Sequence, residues 1–283
     1  MRYTSLLISF ILCSTMYGQQ LKSGESAVDF LEMPFQEKFI RLNHIETISI
    51  DEQDKRTGQP IRSLNKTRTY HFNSNGVCEE VLTASLLWGR RDTILESYGI
   101  HNLFKTYERK DQRGAYRETL EQRGDTLNIC RYRNDGSQEK DTWISCEYIT
   151  SVKTSNKLVQ TIFNEDRKPY LTVTKTFGEG DFLQEERERY IISGKESVST
   201  YTYNERGLLG KKVKNSSSGI QEWVFTYLND GMLETVLYSE NNVLIWRREV
   251  LHDGSGKIEA ILTRDVKTET IKIDKFSYTF NRH

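Results

Sequence analysis

The densest cluster of titratable groups in the chain is Glu185-Glu186-Arg187-Glu188-Arg189. In an extended strand, Glu186 and Glu188 share one face while Arg187 and Arg189 share the other. Residues i and i+2 of a strand lie about 6.5–7 Å apart, near the separation that paired carboxylates use in glycoside hydrolysis. Nothing else in the sequence supports that chemistry. Cross-strand ion pairs on a solvated sheet account for the run, each contributing about 0.2–1 kcal/mol. Gly178-Glu179-Gly180 lacks the strand–turn–helix setting of a phosphate cradle and reads as a turn. No nucleophile elbow, zinc-protease helix or Walker loop occurs.

The metal-ligating residues are dispersed. His44, His71, His101, His252 and His283 form no i, i+4 pair, and Cys78, Cys130 and Cys146 have no CxxC spacing. The expectation is no metal, no organic cofactor and no catalytic constellation. Two hairpin registers compete for Cys130. One sets it opposite Cys146, with Tyr132 opposite Ile144 and Asn128 opposite Tyr148, on matching faces that accommodate a disulfide. A tight turn at Asp135-Gly136 sets Cys130 opposite Asp141 instead. Turn chemistry favours the second register and an oxidising compartment the first, so both stand at this point. Aromatic stripes read first as core. Where rings are exposed they suit sugar stacking, and Trp88, Trp143, Trp223 and Trp246 are the candidates.

The elements that must position these residues are strands. Trp223, Phe225 and Tyr227 alternate along one face, as do Tyr201 and Tyr203, and Phe276, Tyr278 and Phe280. About sixteen short strands are expected between residues 44 and 281. Their turns repeat one phrase, in which an aromatic is followed by polar residues and then Gly. It occurs as Phe72-Asn73-Ser74-Asn75-Gly76, Tyr132-Arg133-Asn134-Asp135-Gly136, Tyr203-Asn204-Glu205-Arg206-Gly207 and Tyr227-Leu228-Asn229-Asp230-Gly231. A fifth copy, Phe163-Asn164-Glu165-Asp166-Arg167, has Arg in place of Gly. Asn and Asp bond their own backbone, and Gly takes positive φ without steric cost, so each copy predicts a hairpin turn. Toward the C-terminus the copies space as two strands and two turns, the size of a repeat unit.

Met1-Arg2-Tyr3-Thr4-Ser5 followed by Leu6-Leu7-Ile8-Ser9-Phe10-Ile11-Leu12 reads as an export leader ending near Gly18. Residues 19–50 form an N-terminal segment in which Val28, Leu31, Phe35 and Phe39 space as a short helix around Pro34. Residues 51–283 then form an antiparallel hairpin-repeat domain, with a candidate division into two halves near 151. The fold expected is all-β: an extended, curved, multi-stranded antiparallel sheet of consecutive hairpins. Lys plus Arg and Asp plus Glu each number 40, so charge gives no reason to expect nucleic acid.

Tyr201-Thr202-Tyr203-Asn204-Glu205-Arg206-Gly207-Leu208-Leu209 and Phe225-Thr226-Tyr227-Leu228-Asn229-Asp230-Gly231-Met232-Leu233 resemble the YD repeat, the tyrosine-rich hairpin unit of Rhs-type secreted proteins. The resemblance implies a sheet winding from hairpin to hairpin, as in that family's shells and carbohydrate-binding surfaces, and no catalytic residues. Together these features lead to an exported, non-enzymatic protein of the bacterial cell envelope. Its place would be periplasmic, outer-membrane-associated or extracellular, and it would bind a glycan or an envelope protein through a sheet surface. The alternatives are a secreted polysaccharide hydrolase and a shell or neutralising partner for a secreted toxin.

Overall fold

The computed structural model describes residues 35–281 apart from 88–89, 102–103, 113 and 135–140. The expected leader, Val28 and Leu31 of the expected helical stripe, Trp88 and the Asp135-Gly136 turn lie outside the described residues. A short helix, α1 (Glu37–Leu42), comes first; it carries Phe39 of that stripe, and Phe35 precedes it. Eighteen strands follow among the described residues. They begin with β1 (Ile45–Lys55), β2 (Arg62–Phe72), β3 (Cys78–Leu87), β4 (Arg90–His101), β5 (Phe104–Asp111) and β6 (Gly114–Arg123). Next come β7 (Thr126–Asn134), β8 (Thr142–Lys153), β9 (Lys157–Phe163), β10 (Pro169–Phe177), β11 (Leu183–Tyr190) and β12 (Glu196–Tyr203). The last six are β13 (Leu209–Ser216), β14 (Gly219–Tyr227), β15 (Leu233–Glu240), β16 (Val243–His252), β17 (Ile258–Asp265) and β18 (Ile271–Phe280). The expected number was smaller because hairpins such as Arg123-Gly124-Asp125-Thr126 turn without the aromatic–Asn–Gly phrase.

Every strand pairs antiparallel with its successor, as the repeated turns predict, but the sheet is not the open one expected. β1 also pairs with β18, from Ile45–Phe280 to Lys55–Ile271, and the ring closes into a barrel. A twisted sheet this wide must curl or split, and closure leaves no strand edge unpaired. The wall is one continuous sheet, and β8 and β9 pair across the candidate division near 151.

A closed ring has an inside and an outside, and alternation assigns every strand residue to one or the other. On one face, β12 to β18 and β1 to β3 bury Tyr201, Leu209, Phe225, Val236, Val250, Ile261, Phe276, Ile48, Tyr70 and Val81 together. Among the described residues, only the six of α1 and the preceding Phe35 cover them. A convex face splays its side chains apart, so this face is the inside. Phe35 packs edge-on against Tyr70 at 5.1 Å and Phe72 at 5.9 Å. Hairpin turns alternate between the two ends. The turns after even-numbered strands share the proximal end with α1, and those after odd-numbered strands form the distal end.

The repeated phrase now has a mechanical explanation. Asn204 Oδ1 accepts the N–H groups of Arg206 and Leu208, both at 3.0 Å. Asn73 and Asp253 accept from the residues two and four positions on in the same way. Gly76, Gly207 and Gly231 all have positive φ, between 73° and 92°. At Gly76 a second constraint applies, since a Cβ would lie 2.1 Å from the Glu37 carbonyl oxygen of α1. The tyrosine of two copies, Tyr203 and Tyr227, then locks its unit. The hydroxyl of Tyr203 donates to the Leu183 carbonyl at 2.9 Å, and that of Tyr227 to Leu209 at 2.9 Å. Tyr278 reaches Ile258 at 2.6 Å, and His252 Nε2 stands in the same place against Leu233 at 2.9 Å. Each acceptor is the first residue of the preceding strand. Leu209, Leu233 and Ile258 are 0–1% exposed, so these three turns return directly into the core.

Candidate binding face

The sequence-level candidates separate between the two faces. Glu186 and Glu188 point inward, as their shared face requires, and each is already engaged. Lys175 lies 2.9 Å from Glu186, while Ser197 donates to Glu188 at 2.8 Å and Lys214 approaches it at 3.5 Å. Trp223 and Trp246 also line the inside, in a row of directly paired residues running Tyr201, Lys212, Trp223, Tyr238, Trp246. The Lys212 ammonium sits 5.3 Å from the Tyr201 ring and 5.6 Å from the Trp223 ring. Tyr238 lies 5.0 Å from Trp223 and 5.2 Å from Trp246, and Arg248 covers Trp246 at 4.8 Å. The ring faces in this row are spent on one another and on two cations.

Charged groups continue around the inner wall. Glu52, 6% exposed, meets Lys66 at 2.8 Å and Lys272 at 3.4 Å. Burial acts to raise its pKa, but the Lys66 hydrogen bond and the charges of Lys272, Lys66 and Arg68 outweigh burial and hold the carboxyl below the usual range. Across the ring, Arg131 bridges Glu118 and Glu147, both at 2.9 Å, and Tyr170 donates to Glu147 at 2.5 Å. Burial, followed by that bond to the carboxylate, pushes the Tyr170 hydroxyl up to about 12. Each acid in these clusters is matched to a cation or a donor, which is the arrangement of a structural network.

The outer face is different between β5 and β9. Here Cys130 lies opposite Cys146 and the two sulfurs are bonded. Asn128 faces Tyr148, but a bulge after Arg131 sets Trp143, not Ile144, opposite Tyr132. Cys130, Thr119 and Asn128 floor a depression of about 500 Å³, walled by Arg117, Arg123, Tyr132, Tyr148 and Arg167. Arg117 lies 5.1 Å above the Tyr132 ring and Arg167 lies 4.5 Å above the Tyr148 ring. The rings therefore hold guanidinium planes over the depression. Arg117 also pairs with Asp141 at 2.6 Å, yet its buried Nε has no hydrogen-bond partner among the described residues. Arg123 pairs with Glu121 at 2.8 Å. Trp143 stands beside this hairpin, half exposed, with its Nε1 donating to Cys146 Sγ at 3.3 Å.

Arg167 is the residue that replaces Gly in the fifth copy of the turn phrase, and it adopts φ +58°. A left-handed conformation costs a non-glycine residue about 1–2 kcal/mol, so a guanidinium is kept where glycine would be easier. The disulfide register was legible in the sequence as one of two alternatives. The pairing of Arg with Tyr was not, because Arg117 and Tyr132, like Arg167 and Tyr148, meet only through strand register. No His, Cys, Asp and Glu cluster able to hold a metal occurs among the described residues, and no helix among them is long and apolar enough to cross a membrane.

No family model and no curated protein matches the chain. Among solved structures, it is similar to a porin-like protein from Bacteroides uniformis ATCC 8492, with a TM-score of 0.41 and 12% identity over 84% of this chain and 97% of that one.

Proposed function

We propose that this chain is an exported envelope protein that binds an acidic glycan on the outer wall of its barrel and performs no catalysis there. Support for export is Arg2 followed by the apolar run Leu6–Leu12. The observation that carries the ligand class is the pair of guanidinium planes held over Tyr132 and Tyr148 on a disulfide-anchored floor. Guanidinium forks match carboxylates, and the Thr119, Asn128 and tyrosine groups suit sugar hydroxyls. The strained backbone at Arg167 favours a role for its side chain over one for the turn.

Titration calorimetry with oligogalacturonate, and with dextran as the neutral control, tests this reading. Binding of the acidic oligomer alone is expected. Arg167→Gly restores the turn phrase, so it should keep or raise the thermal midpoint while weakening binding roughly tenfold. Equal binding of dextran, or full binding by the Gly variant, would overturn the acidic-glycan reading. Turnover of the oligomer would promote the hydrolase.

A further inference from the structure

The two ends of the barrel expose very different side chains. At the proximal end the exposed large apolar residues are Leu42, Val152, Phe182, Leu251 and Phe280. The distal end presents them on successive hairpins from β11–β12 round to β1–β2. Ile192 is 91% exposed at the β11–β12 turn, and Val243 is 61% exposed where β16 begins. Ile61 at the β1–β2 turn, Val266 at the β17–β18 turn, Ile220 at the start of β14 and Trp143 at the start of β8 continue the series. Aliphatic side chains at loop tips gain nothing from water and contribute nothing to the core, so their recurrence at one end marks a contact surface.

The wall between the ends rules out one way of burying them. A barrel that spans a bilayer carries an outward apolar band about 25 Å tall, and each Arg or Lys in its middle costs about 2–4 kcal/mol. Here the outward face carries hydroxyl pairs such as Thr47–Thr279 and ion pairs such as Lys211–Glu222 at 2.8 Å and Arg247–Glu249 at 2.8 Å. That surface belongs in water, and only the distal tips are suited to leave it.

Charge selects the occupant. Lys55, Arg56 and Arg264 line a recess between the β1–β2 and β17–β18 turns together with Val266 and Ile271, with Asp265 and Glu269 as its acids. Lys267 adjoins Val266, and Lys195 follows Ile191 and Ile192. Basic side chains flanking single aliphatic tips match an anionic headgroup layer over hydrocarbon. We infer that the distal rim docks end-on to an anionic phospholipid surface, with the hairpin tips entering the interface and the barrel wall remaining in water.

Co-sedimentation of the full chain with vesicles of equal parts phosphatidylglycerol and phosphatidylcholine tests the inference, with pure phosphatidylcholine as reference. Binding is expected to the mixed vesicles and to fall with salt. The double variant Ile192→Asp, Val243→Asp alters only exposed positions, so its circular dichroism should match the parent while its vesicle affinity drops roughly tenfold or more. Val152→Asp, at the proximal end, should bind like the parent. Equal loss in the Val152 variant would overturn the inference. So would absence of vesicle binding, or a concentration-dependent dimer that the double variant abolishes, which would assign the rim to a second copy of the chain.

Discussion

Along β12 to β18 and β1 to β3 the inner wall carries the buried apolar residues, Leu209, Leu233, Ile258 and Ile48 among them, whereas along β4 to β11 no inward side chain among the described residues is fully buried. Both arcs are built from the same antiparallel hairpins. From β12 to β18 the first follows the repeat: Tyr203, Tyr227, His252 and Tyr278 bond the start of the preceding strand, and Leu209, Leu233 and Ile258 return into the core. The second replaces that apolar return with Tyr98, Tyr107 and Tyr116 in ring contact and with the Glu118–Arg131–Glu147 network. Hydrogen-bonded ring closure therefore leaves the filling of the inside undetermined. Side chains decide it arc by arc, and the outer depression beneath Arg117 and Arg167 lies on the arc whose interior contributes least apolar packing.

Several substitutions would break or sharpen that contrast. The largest effect is expected in the apolar arc, where Leu209→Ala removes a fully buried side chain and should cost about 2–5 kcal/mol in urea unfolding. Ile162→Ala, on the inner wall of β9, should cost clearly less. Equal losses would mean that the arcs are packed alike.

Glu52 and Glu186 compare a buried carboxylate with a half-buried one. Glu52→Gln should cost about 2–3 kcal/mol at neutral pH, at the low end for a buried charge because Lys66 and Lys272 keep access to water. Glu186→Gln should cost less than about 1 kcal/mol. The folded pKa of Glu52 lies below its ordinary value of 4.5. Its contribution is therefore complete above that value and is lost as pH falls through the lower, folded one. Unfolding curves of parent and Glu52→Gln should converge in acid, and a difference that persists there would refute the ionic account.

The smallest expected effect concerns the repeat lock. Tyr227→Phe strands the Leu209 carbonyl and should cost about 1 kcal/mol, whereas Tyr132→Phe, on the outer face, should leave the thermal midpoint near the parent's. The Tyr227 hydroxyl is pushed up to about 12 by burial, so this bond should survive alkaline conditions that ionise exposed tyrosines.

Strand alternation and the Asn–Gly turns were local properties, readable from the Trp223, Phe225 and Tyr227 stripe and from the Asn204 and Asp253 caps. Period and turn chemistry act over a few residues, so the chain alone determined an all-β hairpin protein and where several of its hairpins turn, those at Asn73, Asn164, Asn204 and Leu228 among them. Closure was not local. It depends on Ile48 meeting Tyr278, 230 positions away by sequence number, and on twist accumulated over every strand between them. The candidate site has the same character. Arg117 over Tyr132 and Arg167 over Tyr148 are contacts set by strand register, and two registers were open for Cys130 until bulge and sheet chose one. Which of two alternating faces becomes the inside, and which hairpin tips meet at one rim, are decided only when the ring is complete, because curvature is a property of the whole sheet.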